Sequence, residues 1–204
     1  LGVDVRAGET ASAGEVTTAM LVERHAEDTI LCLGAEGLVE QFRDAGLTLT
    51  DDPEECEVLV VSWTPEFDYE DMRRALVAAD DETPFYGTDP DRTFQMGEDD
   101  LVPGSGAVIG AVGAVLDREP DAIFGKPSVP AREFAVERLG VPAQECLIVG
   151  DRLDTDLEMG LQSGMTTVLV LSGVTDRDDL AASGIEPDYV IEDIGDIDSV
   201  LADR

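Results

Sequence analysis

The sequence predicts an α/β fold, on three observations. Short apolar runs recur at 29–33, 57–62, 84–88, 122–124, 146–149, 167–171 and 189–191. Most are followed by a stretch with helical spacing of apolar residues or with helix caps. Strand and helix alternate along the whole chain, which is the pattern of βαβ units around a parallel sheet. The 204 residues, 43% of them apolar, suffice for one large or two small domains with a sizeable core.

Each element has its own signal. Ser12-x-x-Glu15 is a capping box and opens a helix to about residue 25, with Val16, Met20 and Leu21 on one face. After the strand at 29–33, residues 34–46 read as a helix with Leu38, Phe42 and Ala45 inward, stopped by Gly46. The strand at 57–62 leads to a helix at 69–79. Residues 84–88 form a short strand and 89–101 a polar loop rich in Asp, with Pro90 and Gly97. Residues 104–116 form a helix rich in Ala, Val and Gly, whose small residues require close packing against a neighbour. A short strand at 122–124 precedes Lys126. A helix at 131–139, a strand at 146–149, a helix at 155–163 and a strand at 167–171 follow. A helix at 176–183, a strand at 189–191 and a closing helix at 194–201 complete the chain. Asp117-Arg118-Glu119-Pro120 interrupts the helical pattern and places a domain boundary near 116–120.

Charge narrows the function. The chain carries 46 acidic residues against 13 basic ones, a formal net charge of −33. Such a charge repels phosphate backbones and argues against nucleic-acid binding. The acids are spread through every segment, as expected of a surface adapted to concentrated salt. No apolar run approaches the length of a membrane span, and no signal peptide is visible. Cys32, Cys56 and Cys146 are odd in number and lack C-x-x-C spacing, so they read as free buried thiols in a reducing cytoplasm.

Lys126 is the only lysine; every other cationic side chain except His25 is arginine. A compact ammonium does what a planar guanidinium does not, and it suits a phosphate oxygen in a tight site. Ser128 is a helix N-cap with Pro130 in the first turn, so Lys126 lies just ahead of a helix N-terminus. The macrodipole disfavours a cation there by about a few tenths of a kcal/mol, and an anion between the two would reverse that. The alternative is a solvated surface lysine. A P-loop is excluded, since Pro120 stands where Walker A needs glycine. Asp151 follows the strand at 146–149, which puts a carboxylate at the C-terminal edge of a parallel strand, where α/β sheets bind ligands. Asp156 lies in the first turn of the next helix. The two carboxylates suit Mg²⁺, with Asp156 either a ligand or an orienting partner.

Other features carry less. Gly104-x-Gly106-x-x-x-Gly110 has the wrong spacing for a dinucleotide fingerprint and reads as tight helix packing. His25 sits at a helix end as a dipole partner. Trp63 and Tyr69 flank a loop, either lining a pocket or packing in the core. No histidine beyond His25 exists, so a nucleophilic triad has no support.

Gly125-Lys126-Pro127-Ser128, the stretch Val149-Gly150-Asp151-Arg152-Leu153-Asp154-Thr155-Asp156, and Val168-Leu169-Val170-Leu171-Ser172-Gly173-Val174 together resemble the haloacid dehalogenase (HAD) superfamily of phosphatases. The resemblance is to its large α/β-cap branch, which includes 4-nitrophenyl phosphatases, phosphoglycolate phosphatases and pyridoxal phosphatases. Gly34-Ala35-Glu36-Gly37-Leu38, Gly87-Thr88-Asp89-Pro90-Asp91 and Val102-Pro103-Gly104-Ser105-Gly106 are similar to its cap segments. The resemblance implies residues 1–11 as a remnant of the core, 12–116 as an α/β cap, and 117–204 as the C-terminal half of a Rossmann-like catalytic core. It implies Mg²⁺-dependent hydrolysis of a small phosphorylated metabolite through an aspartyl-phosphate. Lys126 would steady the phosphoryl group, Asp151 and Asp156 would be the magnesium-site acids, and Thr88, Asp89 and Asp91 a cap loop near substrate. Asp89 departs from the Asn usual in this branch. The family's Asp-x-Asp nucleophile motif and its phosphate-binding Ser/Thr are absent, and both are expected ahead of Leu1. The chain alone is therefore expected not to turn over. The alternatives are a non-catalytic remnant that binds a phosphorylated ligand or a partner chain, and an acidic nucleotide-binding module. A cytoplasmic protein, paired through its cap, completes what the resemblance implies.

Self-repulsion of 46 acids destabilises the folded state, and salt screens it. The thermal unfolding midpoint is expected to rise steeply from dilute to molar KCl. A midpoint that stays put across that range refutes the halophilic expectation.

Overall fold

The computed structural model describes residues 4–6, 8–97 and 100–203. Part of the expected 1–11 core remnant lies outside them. The chain divides into two compact units. One is Thr10–Gly125; the other runs from Lys126 onward and includes the N-terminal segment before Thr10.

The first unit begins with α1 (Ala13–Arg24), capped by Ser12 through the full capping box with Glu15. Its sheet contains β1 (Thr29–Leu33), β2 (Thr48–Leu49), β3 (Val58–Val61), β4 (Phe85–Gly87) and, after an interval, β7 (Ala122–Ile123). All pairings are parallel, in the order β2-β1-β3-β4-β7. This is the doubly wound order with its switch point between β1 and β3. Helices α2 (Glu36–Asp44), α3 (Tyr69–Ala78) and α4 (Ser105–Leu116) connect the strands. β3 reads Val-Leu-Val-Val and is buried at all four positions, as a strand covered on both faces must be. Leu31, Leu59, Val61, Phe85, Ile109 and Val112 form the core between sheet and helices.

Three expectations are corrected here. Residues 89–101 are not simply a loop. They contain β5 (Thr93–Gly97), which pairs antiparallel with β6 (Asp100–Pro103). The hairpin is exposed at Met96 and Leu101, so no buried apolar run announced it. Ala45 is exposed rather than inward, while Phe42 is fully buried and carries the α2 contact. The unit also extends past the expected 116–120 boundary, because β7 completes its sheet by pairing with β4.

The glycines of α4 do serve close approach. A Cβ on Gly106 would come within 2.1 Å of the Pro90 carbonyl oxygen, and one on Gly104 within 2.3 Å of that of Asp91. A Cβ on Gly113 would come within 2.8 Å of the Arg118 carbonyl oxygen, whereas Gly110 faces open space. His25 caps the end of α1, but its ring is tied elsewhere. Nδ1 lies 2.7 Å from Asp28 and Nε2 3.0 Å from the Tyr86 hydroxyl. Trp63 packs edge-on against Phe94 at 5.4 Å, whereas Tyr69 is exposed and belongs to no core.

The second unit contains α5 (Val129–Leu139), β8 (Leu147–Gly150), α6 (Glu158–Ser163), β9 (Thr166–Val170), α7 (Arg177–Ser183), β10 (Tyr189–Ile191) and α8 (Ile197–Ala202). Its sheet is parallel, in the order β10-β9-β8, with β8 at one edge. Val168, Val170, Ile191 and Val200 form its core. Among the described residues no helix is long and apolar enough to cross a membrane.

All three cysteines are free. Burial pushes the Cys32 thiol up to about 12, which keeps it protonated and inert near neutrality. Iodoacetamide at pH 8 is expected to label Cys32 only after unfolding, as read by peptide mass spectrometry. Rapid labelling of the folded protein at this position would contradict the raised pKa.

Candidate active site

The C-terminal edge of β8 organises the second unit's polar residues. Ser128 caps α5 by accepting a hydrogen bond from the Ala131 amide, and Pro130 sits in the first turn, as the sequence indicated. Lys126 therefore stands just before the N-terminus of α5. Asp151 directly follows β8. The chain then makes a π-helical turn, Leu153–Leu157, before α6 begins. The Leu157 amide donates to the Arg152 carbonyl at 3.1 Å, the long-period bond that defines such a turn. Turns of this kind are frequent at functional sites because they redirect side chains. Here the turn swings Asp156 back toward the strand end.

Asp156 is nearly buried, and both its oxygens are engaged. Oδ1 accepts a short charge-assisted bond from Lys126 Nζ. Oδ2 accepts from the Arg152 amide at 3.3 Å. The anion that a cation ahead of α5 requires is thus supplied by the protein's own Asp156. The Lys126 side chain remains half exposed. A compact ammonium seated on a carboxylate still has protons free for a second acceptor.

Asp151 is held differently. Its Oδ2 accepts from the Val174 amide at 2.8 Å, and its backbone carbonyl accepts from the Thr175 amide at 3.1 Å. Among the described residues its Oδ1 has no hydrogen-bond partner. Lys126, Asp156 and the backbone next to Asp151 therefore form one continuous polar chain at the strand edge. Thr155, between the acids, has a buried hydroxyl without a partner in this set.

Sequence reasoning missed two residues that make this possible. A Cβ on Gly150 would fall 2.2 Å from Asp156 Cβ, and one on Gly173 would fall 2.2 Å from Asp151 Oδ2. Both glycines stood within the motifs quoted above, but steric room is a property of neighbours distant in sequence.

Thr88, Asp89 and Asp91 lie in the other unit. Thr88 is buried, with its hydroxyl 2.8 Å from that of Ser62. Asp89 accepts from the Asp91 amide at 3.2 Å, and the Asp91 carbonyl accepts from the Gly106 amide at 2.8 Å. These contacts fix the loop that joins β4 to the hairpin.

Among the described residues no three His, Cys, Asp or Glu side chains converge as metal ligands. A soft or imidazole-bound metal has no support. Mg²⁺ needs less, since it takes one or two carboxylates and completes its shell with water and phosphate oxygens. The open Oδ1 of Asp151 fits that requirement; the doubly engaged Asp156 fits the orienting role.

A lysine and two aspartates at the carboxyl edge of a parallel α/β sheet are suited to handling a phosphoryl group. The chain belongs to the HAD family of phosphatases. Residues 123–197 match the HAD-hydrolase-like family model. The chain is 30% identical to the sugar-phosphatase AraL of Bacillus subtilis (strain 168), over 96% of this chain and 71% of that protein. It is 31% identical to phosphoglycolate phosphatase 2 of Arabidopsis thaliana, over 82% of this chain and 63% of that one. The p-nitrophenyl phosphatase from Archaeoglobus fulgidus superposes with a TM-score of 0.86 at 36% identity, covering 98% of this chain and 77% of that chain.

Gly150→Ala is expected to push Asp156 away from the strand end and destabilise the second unit by about 1–3 kcal/mol. The urea midpoint checks this. A midpoint equal to that of the wild type would mean that the close approach is not needed.

Proposed function

We propose that the protein is a Mg²⁺-dependent phosphomonoesterase acting on a small phosphorylated metabolite of the sugar-phosphate or phosphoglycolate kind. The observation that carries this is the polar chain from Lys126 through Asp156 to the backbone beside Asp151, on one sheet edge in a family of phosphatases. Lys126 neutralises charge on the phosphoryl oxygens, where a positioned cation lowers the barrier to transfer. Asp156 holds the ammonium in place and is itself fixed by the Arg152 amide. Asp151 offers its open oxygen to the cation. When bound, Mg²⁺ offsets negative charge on the transferring group.

The attacking carboxylate of the family's aspartyl-phosphate mechanism is not found at a strand end among these residues. β8 is an edge strand, and an apolar parallel edge is normally covered. Turnover of 4-nitrophenyl phosphate by the protein supports the phosphatase reading; binding of a phosphorylated ligand without turnover favours a phospho-ligand-binding remnant instead.

Asp151→Asn is expected to abolish magnesium-dependent 4-nitrophenyl phosphate hydrolysis. Lys126→Arg is expected to lose at least about 10-fold in kcat, on the scale of removing one electrostatic stabiliser. Retained activity in Asp151→Asn would overturn the assignment.

A further inference from the structure

We propose that the turn between β9 and α7, residues 171–175, is the positioning device for the metal-binding carboxylate, with Gly173 and the Val174 amide as its working parts. This rests on the assignment of Asp151 as the Mg²⁺ ligand. The turn grips Asp151 twice. The Val174 amide donates to Oδ2 at 2.8 Å, and the Thr175 amide donates to the main-chain carbonyl at 3.1 Å. Side chain and backbone of one residue are thus fixed by two successive amides, 23 residues away along the chain.

The turn is itself anchored at both ends. The Leu171 amide donates to the Ile191 carbonyl at 3.0 Å, extending the sheet. Asp176 caps α7, accepting from the Asp178 and Asp179 amides at 2.8 Å each. A donor held between a strand and a capped helix does not follow a wandering carboxylate; it makes the carboxylate come to it. Gly173 permits the contact, because any Cβ there would fall 2.2 Å from Oδ2 and 2.4 Å from Cβ of Asp151. Val174 is 50% exposed.

The consequence is chemical. With Oδ2 held by an N–H, the carboxylate is steadied and Oδ1 is left for a ligand. Ordering the ligand before binding removes an entropic cost from metal capture, and outer-shell partners of this kind typically contribute 10–100-fold in metal affinity.

The test is a Mn²⁺ titration of this chain by electron paramagnetic resonance, with circular dichroism and melting in EDTA. Gly173→Ala and Val174→Pro are expected to weaken Mn²⁺ binding about 10- to 100-fold, while both keep the folded circular dichroism spectrum in EDTA at a lowered melting temperature. Val174→Ala keeps the N–H and is expected to bind as the wild type does. Wild-type affinity in both Gly173→Ala and Val174→Pro overturns the proposal. So does loss of the folded state in both, which would make the turn purely structural. If only one variant folds, its affinity against that of Val174→Ala decides. Asp151→Asn is the separate control: if it binds Mn²⁺ as the wild type does, the assignment of Asp151 fails, whatever the turn variants do.

Discussion

The ion pair between Lys126 and Asp156 is the interaction on which the site depends. It joins the start of α5 to the π-helical turn after β8, two segments that are 30 residues apart. Without the carboxylate, an ammonium ahead of a helix N-terminus would face an unfavourable dipole. Without the ammonium, a nearly buried carboxylate would keep only one weak amide bond. Each charge makes the other tolerable, and the pair leaves the lysine half exposed toward solvent. Its value lies less in stability than in placement, since ion pairs of mixed exposure contribute little net free energy.

The two acids are set by opposite means. Asp156 is saturated, with one oxygen on Lys126 and one on the Arg152 amide. Asp151 is half-satisfied, with one oxygen pinned by Val174 and the other open. The proposed division between an orienting and a ligating carboxylate rests on that asymmetry. It depends on two glycines, because Gly150 and Gly173 leave the space that the two side chains fill. A single methyl group at either position would displace the acid whose role it serves.

The acidic coat and the fold are largely independent. Most of the charge sits on exposed positions, while the central strands β3 and β9 are Val- and Leu-rich runs buried at nearly every position. The helices between them start at side-chain caps such as Ser12, Asp68, Ser128 and Asp176. Acidic residues serve twice in such a chain, as solvated charge and as N-caps that favour the positive end of the helix dipole. This is one way in which a chain with so few cations still has well-marked helix starts.

The sequence by itself determined the alternation of strand and helix, the capping of α1 and α5, and the singular Lys126 beside an acid-tipped strand. These are local properties, written in hydrophobic period, cap chemistry and residue counts. The exposed β5–β6 hairpin escaped because its strands bury too little to leave a periodic signal. β7 was legible as a strand, but its place in the first unit's sheet was not, because pairing with β4 is a choice between distant segments. Likewise, only the tertiary structure decided that Asp156 belongs to Lys126 and Asp151 to the Val174 amide. Hydrogen bonds across 23 and 30 residues, and the clearance above two glycines, depend on how the chain returns to itself, which no local pattern encodes.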